Sequence, residues 1–175
     1  MELTRALELV REVPDFPSVG ILFQDIAPML ADGPAFNSVI REFASRVPEQ
    51  SFVAGIEARG FIFASAIAHE KEIGFIPMRK AGKLPGDVLS QSYGLEYGHD
   101  VLEIQKDALS HGDNVVLVDD VLATGGTIVA AIDLLLSAGA VVDRVLVLIE
   151  ISGLPGREII ARKHPGIEVS ALVIR

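Results

Sequence analysis

Residues 114–140 read NVVLVDDVLATGGTIVAAIDLLLSAGA: a β-branched apolar run, two adjacent aspartates, a turn of small residues, then apolar residues at helical spacing. A run as short and apolar as NVVLVD (114–119) suits an interior strand buried on both faces. The segment TIVAAIDLLLSAGA (127–140) has the length of a helix and meets its stop at Gly139. The same order recurs, since SFVAGI (51–56) precedes the helical GFIFASAIAHEK (60–71), IGFIPM (73–78) follows it, and RVLVLI (144–149) follows the longer helix. Parallel strands need crossovers, and crossovers are right-handed. The alternation therefore predicts a three-layer α/β domain whose mostly parallel central sheet is covered on both faces. With 175 residues, 50% of them hydrophobic, the chain can bury one such core, and a single domain over 1–175 is expected.

Two segments break the rhythm. Residues 13–34, VPDFPSVGILFQDIAPMLADGP, interrupt periodicity with prolines and glycines around a short apolar patch, which predicts a small separate cap. Residues 80–100, KAGKLPGDVLSQSYGLEYGHD, are polar and Gly-rich and run into the alternating VLEIQ (101–105), so a long flexible arm over 79–106 should close as an antiparallel hairpin near Gly98 and His99. An arm this long in a compact domain usually serves a function.

Composition removes several classes of function. Fifteen Lys and Arg stand against 24 Asp and Glu, a formal charge of −9, which opposes an extended grip on a phosphodiester backbone. There is no cysteine, so neither a disulfide framework nor a thiolate zinc site can be built. The opening MELTRALELVREVPDFP mixes acids and arginines and lacks the apolar core of a secretory signal, and the apolar runs fall far short of the roughly 20 residues that cross a bilayer. A cytoplasmic protein without membrane or nucleic-acid partners is expected.

Asp119 and Asp120 fall at the carboxyl end of a parallel strand, where open α/β sheets bind ligands. The turn formed by Ala123, Thr124, Gly125, Gly126 and Thr127 then offers helix N-terminal N–H groups to an anion. Its two glycines admit close approach, and its two threonines can donate hydroxyl hydrogen bonds. Carboxylates just upstream would face a sugar and accept from paired hydroxyls, so the site fits a phosphorylated sugar. Neither G-x-G-x-x-G nor G-x-x-x-x-G-K-[ST] occurs at this strand end, which argues against the common nucleotide loops. At the other strand-to-helix junction, GIEARGFIFA (55–64), Arg59 can grip a second anionic group bidentately. Arg79, Lys80 and Lys83 add positive charge at the root of the arm, as a lid over a leaving pyrophosphate would require. Glu96, with Tyr97 beside it, lies where the arm returns and can exchange a proton with a reacting group.

These residues resemble the type I phosphoribosyltransferases over nearly the whole chain. VVLVDDVLATGGT is similar to that family's phosphoribosyl pyrophosphate signature, while PDFPSVGILFQDI, EARGFIFASAIA, RKAGKLPG, SYGLEYG and LEIQKDAL resemble segments of its adenine-specific branch. The resemblance implies transfer of adenine onto phosphoribosyl pyrophosphate to give AMP and pyrophosphate, a step of purine salvage. It implies Mg²⁺ bound through the substrate, with water-mediated contact to Asp119 or Asp120 and no direct protein ligand, and a homodimer. Residues 123–127 would hold the 5′-phosphate and the aspartates the ribose hydroxyls. Arg59, Arg79, Lys80 and Lys83 would address pyrophosphate, Glu96 would handle the adenine ring proton, and Tyr97 would lie beside the reaction centre. The segment 13–34 would be a hood over the base, with Leu22 and Phe23 enclosing it and the backbone around Leu22 and Gln24 recognising it. The family also often carries a non-proline cis peptide at the turn before Arg59. One departure is Gln24, where many relatives carry a basic residue.

Two competing readings define the tests. A transferase for hypoxanthine, guanine or xanthine would share the phosphate and sugar sites, and only base recognition separates it. A non-catalytic sensor of phosphoribosyl pyrophosphate would share the fold, but the acidic charge and the retained arm with Glu96 argue against it.

Overall fold

The computed structural model describes residues 1–94 and 99–175, which divide into two compact units, Met1–Arg46 and Val47–Arg175. The first holds α1 (Leu3–Leu7), the antiparallel pair β1 (Arg11–Pro14) and β2 (Leu22–Asp25), α2 (Ala27–Ala31) and α3 (Gly33–Ser45). α3 buries Ala35, Val39, Ile40, Phe43 and Ala44, one stripe of an amphipathic helix. Its N-cap is Asp32, whose carboxylate accepts the Ala35 N–H at 2.9 Å. The β pair aligns Val13 with Phe23 and Glu12 with Gln24; Arg11 meets Asp25 at 2.6 Å, and Phe16 stands edge-on to Phe23 at 5.0 Å.

The second unit is built on a seven-stranded sheet. Its elements in chain order are β3 (Phe52–Ile56), α4 (Arg59–Lys71), β4 (Phe75–Lys80), β5 (Val88–Gly94), β6 (His99–Gln105), β7 (Asn114–Leu122), α5 (Gly126–Ser137), β8 (Val141–Glu150), α6 (Gly156–Lys163) and β9 (Glu168–Ile174). The strand order is β5-β6-β4-β3-β7-β8-β9, parallel from β4 to β9 and antiparallel in the β4-β6-β5 extension. From the adjacent central strands β3 and β7 the chain crosses outward in opposite directions, to β4 through α4 and to β8 through α5. Right-handed crossovers then put the two helices on opposite faces. Alternation along the strands agrees with this: Ala54, Ile56, Val115, Leu117, Val145 and Val147 join the cluster built on Ile128, Ile132 and Leu135 of α5. Mixed α/β layering around a mostly parallel sheet is thus the observed architecture.

The expected strands and helices appear within a few residues of their predicted bounds, and Gly139 takes the left-handed φ of +86° just beyond α5. The arm pairs as a hairpin with Gly94 opposite His99; the tip residues, including the predicted turn at Gly98, lie outside the described residues. Sequence patterning leaves the individual elements of the first unit, and α6 and β9 of the second, unassigned. β9 is an edge strand with no fully buried residue, and Ser170 and Ala171 dilute its apolar run accordingly.

Leu117 is fully buried in the centre of this sheet, whereas Val169 on β9 is only partly buried. Leu117→Ala is expected to lower unfolding free energy by about 2–5 kcal/mol in urea titration, with Val169→Ala costing clearly less. Equal losses would show that the core is not centred on β7.

Candidate active site

The site begins where β7 ends. After Leu122 the chain turns through Ala123, Thr124 and Gly125 and enters α5 at Gly126. Gly125 has φ +85°, and a Cβ there would stand 2.9 Å from both Cα and O of Gly156, so the turn lies against backbone at the start of α6. A Cβ on Gly156 would in turn collide with the Ala123 carbonyl. Side chains are excluded from both sides of this contact, which fixes the turn's curvature. The first helical bond of α5 runs from the Val129 N–H to Gly125 O at 2.9 Å, so the N–H groups of Gly126, Thr127 and Ile128 precede the ladder. A pocket of about 90 Å³ opens here, lined by Asp119 and residues 121–128. It is small, and walled by helix N-terminal backbone with two threonines, as an anion site requires.

Asp119 is part of its wall, and Asp120 is the next residue of β7. Asp120 is 5% exposed, its Oδ2 lies 2.8 Å from Arg59 Nε, and its N–H donates to Asp119 Oδ1 at 2.9 Å. Burial, reinforced by the neighbouring Asp120 charge, pushes Asp119 well above the usual carboxylate range. Burial also raises Asp120, with Arg59 opposing the shift. The two titrate as a pair. Holding both ionised together costs stability, and groups perturbed in this way cluster at functional sites.

Arg59 reaches Asp120 because α4 starts unusually close to β7. A Cβ on Gly60 would lie 2.9 Å from Val118 O and 3.0 Å from Asp119 Oδ1, so only glycine fits there. The peptide between Glu57 and Ala58 is cis, at the turn where the family resemblance places one. Ahead of it, Glu57 collects the root of the arm: Lys83 Nζ donates to its Oε1, and the Lys80 N–H donates to Oε2 at 3.0 Å, with Arg79 Nε 3.4 Å away. Lys80 Nζ meets Asp100 Oδ2 at 2.9 Å, and Asp100 also accepts from the Tyr93 hydroxyl at 3.2 Å. The Tyr93 hydroxyl interacts with Thr127 as well, which ties the hairpin to the first turn of α5. Burial and the Asp100 charge raise the Tyr93 pKa.

The structure therefore brings Asp119, Asp120, Arg59 and residues 123–127 together, and groups Arg79 and Lys83 on Glu57 and Lys80 on Asp100. Leu22, Phe23 and Gln24 lie on β2 of the first unit, where Leu22 is 51% exposed and Gln24 is buried. Glu96 and Tyr97 lie outside the described residues. Glu57, Tyr93, Asp100 and Gly156 were not singled out from sequence. Glu57 adjoins the junction that yielded Arg59, and Gly156 follows a proline in GLPG, but their roles depend on contacts remote in the chain. Among the described residues no cluster of three or more His, Asp or Glu could hold a metal ion by itself, and no helix is long and apolar enough to cross a membrane.

Comparison with known proteins gives a consistent result. The phosphoribosyl transferase domain family matches residues 27–159. An adenine phosphoribosyltransferase of Xanthomonas euvesicatoria pv. vesicatoria is 51% identical over 114 residues, 64% of this chain, and the match spans 61% of that relative's length. The crystal structure of adenine phosphoribosyltransferase from Thermoanaerobacter pseudethanolicus superposes with a TM-score of 0.91 at 45% identity, covering 99% of each chain. A Giardia lamblia APRTase complexed with 9-deazaadenine gives a TM-score of 0.92 at 38% identity over 100% of this chain and 98% of that one.

Two substitutions test this geometry. Asp119→Asn keeps an acceptor for the Asp120 N–H but removes the charge whose burial is unfavourable. Because the folded pKa is raised, the stability contributed by Asp119 is fully present below about pH 4 and is lost as pH rises through the folded value. The variant should therefore melt higher than the wild type at pH 7 to 8, and the difference should vanish on acidification toward pH 4. A lower Tm at neutral pH would show that the carboxylate stabilises the fold. Gly60→Ala, in contrast, should lower Tm and weaken nucleotide binding together, because α4 must retreat from β7; unchanged values for both would contradict the close approach.

Proposed function

The chain belongs to the phosphoribosyltransferase family, and within it to the adenine phosphoribosyltransferases; from that premise we propose that it converts adenine and phosphoribosyl pyrophosphate to AMP and pyrophosphate. The observation that carries the reading is the junction of the Asp119–Asp120 pair, Asp120 buried and Asp119 half-buried, with the Gly125–Gly126 turn at the end of β7. The N–H groups and hydroxyls of residues 123–127 hold the 5′-phosphate, and the aspartates accept from the ribose hydroxyls. Arg59, Arg79, Lys80 and Lys83 neutralise pyrophosphate as the bond to C1′ breaks, and the aspartate charges favour the positive character that develops on the sugar. A ring nitrogen of adenine attacks C1′, and Glu96 takes its proton with Tyr97 alongside. Leu22, Phe23 and Gln24 recognise the base; a buried Gln24 beside an exposed Leu22 supports recognition through backbone rather than through the glutamine side chain.

Mg²⁺ fits this chemistry. Its usual partners are substrate phosphates, water and one or two carboxylates, and Asp119 offers hard oxygens on the pocket wall with Asp120, paired to Arg59, next to it. When bound it supplies charge neutralisation for the pyrophosphate, with Asp119 or Asp120 meeting it through water. A cytoplasmic homodimer without nucleic-acid or membrane partners belongs to the same proposal, and the charge of −9 supports the exclusion of nucleic acid.

Asp120→Asn is expected to lower kcat/KM for phosphoribosyl pyrophosphate by about 100-fold or more. An unchanged value would remove the aspartate from the sugar site. With adenine, hypoxanthine, guanine and xanthine competing at equal concentration, AMP should dominate the product. A 6-oxopurine presents an acceptor where adenine presents a donor, so a clear preference for hypoxanthine would reassign the base. Failure of every base to release pyrophosphate would leave the sensor reading.

A further inference from the structure

The cations at the root of the arm are not placed by the arm alone. Glu57 directly follows β3, and its N–H donates to Met78 O of the neighbouring β4 at 2.9 Å. Its side chain, 11% exposed, meets three of the four residues that the proposed chemistry assigns to pyrophosphate. Oε1 accepts from Lys83 Nζ, Oε2 accepts the Lys80 N–H at 3.0 Å and lies 3.4 Å from Arg79 Nε, and Arg79 Nη1 donates to the Lys83 carbonyl at 3.1 Å.

An isolated ion pair between exposed groups would fix little. Here the carboxylate is largely buried and is bonded to backbone as well as to cations, so its position is set before either cation is counted. Burial acts to raise its pKa, but hydrogen bonds from Lys83, the Lys80 N–H and Arg79 outweigh burial and leave it below the ordinary value. Two residues further on is Arg59, held by Asp120. One short segment therefore carries a cation of its own and the anion that gathers two more.

We infer that Glu57 is a positioning residue for the leaving group: its carboxylate sets Arg79 and Lys83 in fixed relation to Arg59, so that pyrophosphate meets preplaced charges. This rests on the proposed function for the identity of the anion. The carboxylate does not itself touch the reacting atoms, and its effect should fall on the pyrophosphate end of the substrate alone.

Glu57→Gln keeps the side chain's size and an acceptor for the Lys80 N–H while removing the charge. Its KM for phosphoribosyl pyrophosphate is expected to rise about tenfold, with KM for adenine and Tm unchanged. A merely structural role would move Tm or both KM values together, and that result, an unchanged KM or a lower one would overturn the inference. Calorimetric titration with Mg²⁺-pyrophosphate gives a readout that needs no turnover, and the variant should bind about tenfold more weakly than the wild type. Equal or tighter binding would overturn the inference even if the wild type proved inactive with adenine, a failure that would count against the functional reading instead. In a Lys83→Ala background the Glu57→Gln effect should shrink markedly, since the shared partner is gone; full additivity would show that Glu57 does not act through Lys83.

Discussion

Two adjacent carboxylates at the end of β7, Asp120 buried and Asp119 half-buried, are the constraint around which the second unit is arranged. A single ionised carboxylate in that position would be unfavourable, and two raise the penalty through mutual repulsion. Arg59 offsets part of it at 2.8 Å from Asp120. For Arg59 to be there, α4 must start almost on the backbone of Val118 and Asp119, and that requires glycine at position 60. The electrostatics of one strand end thus dictate the packing of the neighbouring helix. The proposed sugar chemistry gives the unfavourable pair its purpose.

A second contact shapes the anion pocket by the same means. Gly125 and Gly156 press the turn before α5 against the start of α6, so an element at the sheet's periphery determines how backbone N–H groups are presented at its centre. The hairpin joins the assembly through Tyr93, which links Thr127 with Asp100, and through Glu57, which collects Arg79 and Lys83. Polar contacts thereby run from Thr127 through Tyr93, Asp100 and Lys80 to Glu57, and the carboxylate pair meets Arg59 two residues beyond it.

Much of this was legible in the sequence because the features that matter are local. Strand ends, a glycine turn and helix starts leave their mark within a dozen residues, so 114–140 announces a strand, a carboxylate pair, a glycine turn and a helix start in one reading. Arg59 was found at the corresponding junction, although its pairing with Asp120 was not, since nothing in a sequence tells how far one helix leans toward a strand some 60 residues away. Gly156 and Glu57 escaped for the same reason: each acts on a partner brought near only by the fold. β9 escaped for a different one, because an edge strand can carry Ser170 and Ala171 without cost and so shows no sharp apolar signal.

The account stands or falls on whether the carboxylate pair and the glycine turn hold one and the same phosphoribosyl unit. The direct measurement is a crystal structure of the protein with AMP. The phosphate should accept from N–H groups of residues 123–127, and the ribose hydroxyls should lie within about 3 Å of the Asp119 or Asp120 carboxylates. A nucleotide bound elsewhere, with Asp120 keeping only its contact to Arg59, would contradict the central claim.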